Sequence, residues 1–337
     1  VYLNKCVGKT IAWEVNRILS TRGHVRILEI GGGTGSTTRE IVQLLPQDGR
    51  VEYVFTDIGS SFVLNAKSKL SWWKGSFKSI RYDLNGDLTS QGLSPESFDV
   101  VICANVVHAT KRIRESLMRI TSALRVGGIL VMLEQTLKRP WVDITFGLMR
   151  EYFSFEDRDL RKDHCVLFRP EWKAVMESCG FLDVNFVPEE LEYGSSMIVG
   201  RYIGLPSPSD GDVDASLHPV CSKLGPDFSL DPKGFDLVDE VALRYIVVAF
   251  ENIGVWTLLR DGSHGIEELS KKSQISLDYV PLFHHLLKVL EQHGYVTGSK
   301  SGEIYLEKED LSVSTTHEID SFVAGILPYA GVEENEA

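Results

Sequence analysis

Short apolar runs alternate with amphipathic segments over residues 1–204 of the chain. Continuous apolar runs rich in β-branched residues are typical of strands buried on both faces of a parallel sheet, whereas apolar positions three and four apart predict helices. The predicted strands cover residues 25–30, 51–55, 79–84, 98–105, 129–133, 184–187 and 197–202. The predicted helices cover residues 4–19, 39–45, 60–70, 113–124 and 172–179. This alternation predicts an α/β fold with a doubly wound, mostly parallel sheet.

The first predicted strand runs directly into a glycine-rich turn, within the stretch VRILEIGGGTGSTT at residues 25–38. Gly31, Gly33 and Gly35 allow backbone torsions that other residues avoid, and they let the main chain approach a ligand closely. The Ser-Thr-Thr sequence at residues 36–38 can cap the helix that follows. The turn predicts a nucleotide-cofactor cradle, although a tight strand-to-helix turn without a ligand has the same pattern.

Polar side chains stand at or just past the ends of five predicted strands, and parallel strands bring those ends to one rim of the sheet. Asp57 lies roughly 20 residues past the glycines, where a carboxylate accepts both hydroxyl protons of a ribose. Asp83 can accept from an adenine amine or form a turn. A dinucleotide would need a third glycine where Thr38 stands, which disfavours NAD. The five polar residues are Glu29, Asp57, Asp83, Asn105 and Glu134.

The composition of the chain disfavours several classes of function. The chain has 337 residues, a formal net charge of -12 and no basic run, which argues against nucleic-acid binding. Its five cysteines form no CxxC pair, so we expect neither a disulfide framework nor a metal site, and a reducing cytoplasm fits them. No apolar run is long enough for a membrane span and no leader is apparent, so we expect a cytoplasmic location without a membrane partner. The start at Val1 hints at a segment of a longer polypeptide.

Six motifs, in the right order, resemble the C-methyltransferase domains of polyketide synthases: LEIGGGTGSTT, FTDIGSSF, YDLN with a following QG, NVVHAT, GGILVMLEQT and WVDITFGL. The resemblance covers about residues 1–200. It implies a class I, Rossmann-like enzyme that uses S-adenosylmethionine. It further implies methylation of the α-carbon of a β-ketoacyl chain, held as a thioester on an acyl carrier protein, beside neighbouring polyketide synthase domains.

Methylation of a carbon between two carbonyls needs a base that removes a proton. His108, just beyond the fourth predicted strand, is the candidate base because imidazole is the commonest general base in proteins. Glu134, at the end of the neighbouring strand, can orient the ring and stabilise the imidazolium. The resemblance assigns both residues these catalytic roles. The alternative is that His108 caps a helix and Glu134 ends a strand in solvent.

The resemblance also distributes the cofactor contacts over the strand ends. Glu29 would support the amine side through the glycine loop, and Asp57 would hold the ribose. Asp83 and Leu84 would frame the adenine, and the Asn105 carbonyl would meet the methionine amine. The aromatic segment at residues 141–155 would border the substrate pocket, whereas His164 is expected to be an exposed loop residue. The predicted cofactor-binding residues are Glu29, Gly31, Gly33, Gly35, Asp57, Asp83, Leu84 and Asn105.

A stretch rich in Pro, Ser, Gly and Asp at residues 205–214 predicts a domain boundary. We expect a catalytic core over residues 1–204, a linker over 205–236, a smaller helical domain over 237–325 and a tail over 326–337. A helix over 281–293 and a hairpin with its turn at 300–302 resemble a winged helix. The side chains of His284 and His285 should point to different helix faces, which disfavours a metal site there.

Several alternatives remain open for the C-terminal part and for the reaction. The C-terminal part also resembles the lid of the same family. It would then be the core's own lid in permuted order, the start of a second methyltransferase, or part of a chain with missing stretches. The enzyme could instead be a small-molecule O-methyltransferase whose winged helix serves dimerisation. The third possibility is a non-catalytic scaffold that binds the cofactor.

Overall fold

The computed structural model of the protein describes residues 2–189, 194–204, 232–299 and 302–308. The chain divides into two units, and the first comprises residues 1–137 and 155–228. The second comprises residues 138–154 and 229–337. Each unit has a buried apolar core of its own.

The first unit is built on a seven-stranded sheet. Its strands are β1 Val25–Ile30, β2 Val51–Asp57, β3 Ser76–Arg81, β4 Phe98–Ala104, β5 Leu124–Gln135, β6 Phe181–Val187 and β7 Ser195–Tyr202. The strand order is β3-β2-β1-β4-β5-β7-β6. The first five strands are parallel, and β7 is antiparallel to both β5 and β6. The predicted doubly wound, mostly parallel sheet is confirmed.

Helices cover both faces of this sheet. The helices of the first unit are α1 Tyr2–Arg22, α2 Ser36–Val42, α3 Ser60–Lys69, α4 Ile113–Ala123 and α6 Arg169–Ser178. Helix α5 Pro140–Phe146 lies between α4 and α6 in the chain and belongs to the second unit. Side chains of β1 alternate between two cores: Ile27 packs with α1 to α3, and Leu28 packs with α4 and α6. Burial of such an aliphatic side chain contributes about 1.5–3 kcal/mol. The apolar runs are therefore continuous because both faces of the strands are buried.

Several predicted element ends and one predicted cap differ from the structure. Strand β5 begins at Leu124, ahead of the predicted start at residue 129, because a register shift between Phe98 and Val100 fits the extra residues into the pairing. Strand β3 is Ser76–Arg81 instead of residues 79–84, since its pairing with β2 ends there. The residue at the N-cap of α2 is Gly35, so the predicted Ser-Thr-Thr cap lies inside the helix.

The second unit combines α5 with the C-terminal helices. These are α7 Pro232–Asn252, α8 Val255–Arg260, α9 Ile266–Lys272 and α10 Val280–Gln292. A three-stranded antiparallel sheet has the order β8-β10-β9, with β8 His264–Gly265, β9 Val296–Gly298 and β10 Glu303–Leu306. Helices α9 and α10 followed by the β9–β10 hairpin reproduce the winged-helix-like pattern.

The second unit differs from the sequence expectation in where its first C-terminal helix starts and in which residues it contains. Helix α7 starts at Pro232, within the predicted 205–236 linker. Residues 138–154, expected in the core, belong to the second unit because Ile144 packs on its apolar cluster and Arg139 pairs with Asp239 at 2.7 Å. Residues 205–231 of the linker, 309–325 of the predicted domain and the 326–337 tail lie outside the described residues.

The neighbouring histidines of α10 have separate environments. His285 is buried, and its Nε2 lies 2.8 Å from Asp143 Oδ2 of α5. His284 is half-buried, and burial lowers the pKa of its imidazole. Within the described ranges, no helix is long and apolar enough to cross a membrane.

Candidate active site

The glycine loop between β1 and α2 is a turn that side chains would obstruct. Gly31, Gly33 and Gly35 have φ values of 68°, 53° and 83°, a region that L-residues rarely adopt. A Cβ on Gly31 would lie 2.4 Å from Val106 Cγ2, and one on Gly32 would lie 2.1 Å from Phe55 Cε2. The loop is therefore close-packed against its neighbours as well as left-handed, so glycine is required for both torsion and space.

Asp57, at the end of β2, holds this loop through its side chain. Its Oδ2 accepts a hydrogen bond from the Gly33 amide at 2.9 Å, and its Oδ1 accepts from the Gly59 amide at 2.7 Å. The residue is only 6% exposed. Each carboxylate oxygen has a further acceptor position, so Asp57 can bind two hydroxyl groups of a ribose while it keeps the loop in place.

Glu29, near the end of β1, is completely buried. Its Oε2 accepts hydrogen bonds from the Thr38 hydroxyl at 2.7 Å and the Tyr53 hydroxyl at 2.9 Å. Oε1 has no hydrogen-bond partner among the described residues. Burial raises the pKa of the Glu29 carboxyl to about 7, and the nearby Asp57 charge adds to the rise. Sequence reasoning missed Tyr53 and took Thr38 for a cap, because neither residue carries a local signal of a contact with Glu29.

His108 and Glu134 meet where β4 and β5 end. His108 lies in the one-turn 3₁₀ helix Val107–Ala109, and its Nδ1 is 2.5 Å from Glu134 Oε2. Glu134 is completely buried, and its Oε1 accepts hydrogen bonds from the Val107 amide at 2.8 Å and the Val106 amide at 3.3 Å. The carboxylate is thus held on one side by backbone amides and faces the imidazole on the other. The imidazole is partly exposed, and its Nε2 has no hydrogen-bond partner within the part of the chain that the structure describes.

The three other predicted cofactor residues have different environments. Asp83 Oδ1 accepts from the Asn85 amide at 2.8 Å, which is the turn-forming role. The Leu84 side chain is 4% exposed and belongs to the core, so only its backbone can face a ligand. Asn105 is exposed, has a left-handed backbone with φ 56° and donates its amide to Leu133 O at 2.7 Å. Its positive φ marks a tight turn directly before the His108 segment.

The charged segment before α6 contains two buried residues, His164 and Arg161. His164, expected to be exposed, is 2% exposed, and its Nδ1 accepts from the Val166 amide at 3.0 Å. Arg161 is also buried and donates to the carbonyl oxygen of His108 at 2.7 Å. The expected exposure of His164 was therefore wrong, and the burial of Arg161 follows from its contacts with the His108 turn.

These groups suit a cofactor with a ribose and an amino-acid moiety. The acceptors predicted at the rim are carboxylates, which suit hydroxyl and ammonium donors. Glu29 Oε1 is a buried acceptor without a described partner, and the glycine loop leaves backbone that a ligand can approach. The donor set therefore fits S-adenosylmethionine, which carries hydroxyls, an ammonium and a sulfonium but no phosphate.

Comparison with known proteins places the first unit in a family. Residues 28–130 match the family model described as a methyltransferase domain. Residues 28–130 of the first unit form a methyltransferase domain. It spans the glycine loop, Asp57 and His108, and it supports the predicted S-adenosylmethionine cofactor.

Relatives of this methyltransferase domain are found in polyketide synthases. The chain is 36% identical over 210 residues to polyketide synthase PksR of Bacillus subtilis (strain 168), a match that covers 60% of this chain. The chain spans only 8% of the length of that relative. The resemblance to polyketide synthase methyltransferase domains, which the motifs indicated, is confirmed.

Two solved structures are similar to the methyltransferase domain in sequence and in fold. The CurJ carbon methyltransferase is 37% identical, with a TM-score of 0.51 over 54% of this chain and 49% of that chain. The DszA carbon methyltransferase is 31% identical, with a TM-score of 0.52 over 56% of this chain and 52% of that chain.

Proposed function

We propose that the chain transfers a methyl group from S-adenosylmethionine to the α-carbon of a β-ketoacyl thioester carried on an acyl carrier protein, within a polyketide synthase. The observation that carries this proposal is the His108–Glu134 pair beside the glycine loop. The two similar solved structures are named carbon methyltransferases, which favours carbon as the acceptor atom. The match to a small part of a long polyketide synthase favours neighbouring synthase domains as partners.

The cofactor would be held by residues at the ends of β1, β2 and β4. Asp57 would accept from the ribose hydroxyls, and the glycine backbone at residues 31–35 would face the ribose and amino-acid portions. Glu29 would support the amine side through the loop, and the Asn105 carbonyl would face the amine. Asp83 and the Leu84 backbone would lie along the adenine. S-adenosylmethionine supplies an electrophilic methyl group on a positively charged sulfur.

The chemistry of the chain's own residues begins at His108 Nε2. This nitrogen takes the proton from the carbon between the two carbonyls, and the electron pair of the broken C–H bond stays on the substrate as an enolate. The enolate carbon is the nucleophile for the methyl group. Glu134 accepts a hydrogen bond from the Nδ1–H group, orients the ring and stabilises the imidazolium while the ring carries the extra proton. Release of that proton to water returns the neutral base.

The Glu134 position explains why this pair suits a general base. The amides of Val106 and Val107 fix one carboxylate oxygen, so the other oxygen is aimed at Nδ1 before the substrate arrives. A carboxylate that is pre-oriented in a buried site stabilises developing positive charge without reorganisation. The same arrangement would serve an oxygen nucleophile, so the acceptor must be settled by assay.

The test is a methyl-transfer assay with the full chain. β-Ketoacyl thioesters, on a carrier protein and as small thioester mimics, are compared with phenolic acceptors, and S-adenosylhomocysteine formation and product mass are measured. We expect transfer to the thioesters only. His108→Ala should lose about 100-fold or more in kcat and keep its affinity for S-adenosylmethionine in a calorimetric titration.

Three results would contradict the proposal in different ways. Preferred methylation of phenols would identify an O-methyltransferase. Binding of S-adenosylmethionine without methyl transfer to any of the acceptors would identify a non-catalytic scaffold. Unchanged turnover of His108→Ala would show that His108 is not the general base, but it would leave the methyltransferase assignment intact.

A further inference from the structure

Arg161 is a buried arginine whose guanidinium donates hydrogen bonds to the loop that carries His108. Its side chain is completely buried. It follows α5 and precedes α6 in the chain, 53 residues after His108. A buried charge costs free energy unless it is paired and hydrogen-bonded, so a position of this kind needs a reason.

The donors of Arg161 reach four acceptors. Nη1 donates to the carbonyl oxygen of His108 at 2.7 Å, and Nη2 donates to those of Thr110 at 2.8 Å and Lys111 at 2.9 Å. Nε donates to Asp157 Oδ1 at 2.6 Å, which supplies the compensating charge. The planar guanidinium presents its donors in a rigid fork, so one side chain fixes three backbone carbonyls in a single arrangement.

Asp157 connects Arg161 to the helix that follows the His108 loop. Its Oδ2 accepts from the amide of Ile113, the first residue of α4, at 2.8 Å. Arg161 and Asp157 together therefore hold the backbone from His108 to Ile113. A single 3₁₀ turn has weak hydrogen-bond geometry of its own and needs such outside contacts to keep one conformation.

We propose that Arg161 is a positioning residue for catalysis: it holds the backbone of His108 so that Nδ1 stays on Glu134 and Nε2 faces the substrate. This inference rests on the proposed role of His108 as the base. Glu134 fixes the ring from one end, and Arg161 fixes the main chain from the other. Displacement of a catalytic group by about 1 Å can cost about 100-fold in rate.

The test compares Arg161→Lys with Arg158→Lys in the full chain. Lysine keeps a positive charge for Asp157, but one ammonium cannot serve three carbonyls and a carboxylate at once. Arg158 is a matched control because it lies in the same loop over the same Phe155 ring, whereas its Nη1 donates to the Lys162 carbonyl at 3.2 Å.

We expect Arg161→Lys to lower kcat about 10- to 100-fold, with the S-adenosylmethionine dissociation constant within about twofold of the parent, because the glycine loop and Asp57 lie on other strands. Arg158→Lys should change neither quantity. The proton NMR spectrum supplies a readout that general destabilisation does not mimic. The Nδ1 proton that faces Glu134 should give a far-downfield signal, which is assigned by its loss in His108→Ala. We expect this signal to shift or broaden in Arg161→Lys.

Asp157→Asn keeps the inference testable if Arg161→Lys does not fold. It retains the carbonyl contacts of Arg161 and removes the charge pairing, so we expect a smaller loss in kcat in the same direction. A kcat within twofold of the parent in folded Arg161→Lys overturns the inference. Equal losses of kcat and cofactor affinity, or an unchanged downfield signal, also overturn it, since they indicate a merely structural arginine. Full activity of His108→Ala would instead refute the proposed base, so the two failures are distinguishable.

Discussion

Replacement of Glu29 by glutamine should remove a large part of the pH dependence of folding in the first unit. The Glu29 carboxyl is fully buried, and its pKa rises from an ordinary value of 4.5 to about 7. The folded state therefore holds this proton more tightly than the unfolded chain does. Stability from this group is fully present below about pH 4.5, is lost as pH rises through the window up to about 7, and falls no further above it.

The size of the effect follows from the difference between the two pKa values. One unit corresponds to about 1.4 kcal/mol, so the whole shift amounts to about 3 kcal/mol. Between about pH 5 and about pH 8 the parent should lose about 2 kcal/mol of unfolding free energy through this carboxyl. Glu29→Gln keeps an acceptor for the Thr38 and Tyr53 hydroxyls and cannot ionise, so it should lack this loss.

Urea unfolding at a series of pH values, followed by tryptophan fluorescence, measures the difference. The free energy of Glu29→Gln relative to the parent should rise by about 2 kcal/mol from about pH 5 to about pH 8. Glu177→Gln, on a side chain of α6 that is 46% exposed, is the matched control. Parallel pH profiles of the parent and Glu29→Gln would refute the reasoning, because they would mean that Glu29 binds its proton equally well in both states.

Two further substitutions test the cofactor loop. Asp57→Asn should weaken S-adenosylmethionine binding about 10- to 100-fold in calorimetry, because charge-assisted hydrogen bonds are worth about 1.5–3 kcal/mol and one carboxylate oxygen becomes a donor that faces the Gly33 or Gly59 amide. Gly32→Ala should destabilise the first unit by about 1–3 kcal/mol in urea unfolding, since its Cβ would lie 2.1 Å from the Phe55 ring.

The first of these predictions has a clear contradicting outcome, and the second has two control variants. Unchanged affinity of Asp57→Asn for S-adenosylmethionine would mean that Asp57 does not bind the ribose. For Gly32→Ala, the double variant with Phe55→Leu should recover part of the lost stability if the clash is the cause. Gly265→Ala, at a position with φ -67° and open space around it, should cost much less.

The sheet and the rim could be predicted because their signals are local. Strands buried on both faces give continuous apolar runs, and the parallel order brings Asp57, Asn105 and Glu134 to the same ends. His108 could be predicted as the candidate base because it follows β4 directly within a recognisable motif. The boundaries were less exact where pairing decides them, as at Leu124, because the register shift that admits it depends on β4.

The support of the site could not be predicted, because it comes from residues distant in sequence. Arg161 stands in a run of charged residues, which has the composition of an exposed loop, and only its contacts with the His108 turn explain its burial. Tyr53 looks like one more apolar strand position until its hydroxyl is found on Glu29. The segment at 138–154 gave an aromatic pattern that did not reveal which core it joins.

That segment makes the two units discontinuous in the chain. The polypeptide leaves the first unit after β5, contributes α5 to the second, returns for α6, and leaves again before α7. During synthesis α5 emerges long before the helices that bury Ile144, so the second core can be completed only when the C-terminal helices have been made. Recombination that joins methyltransferase cores at the 205–236 linker would separate α5 from α7 and α10. An exchange of domains should therefore keep α5 together with α7 and α10.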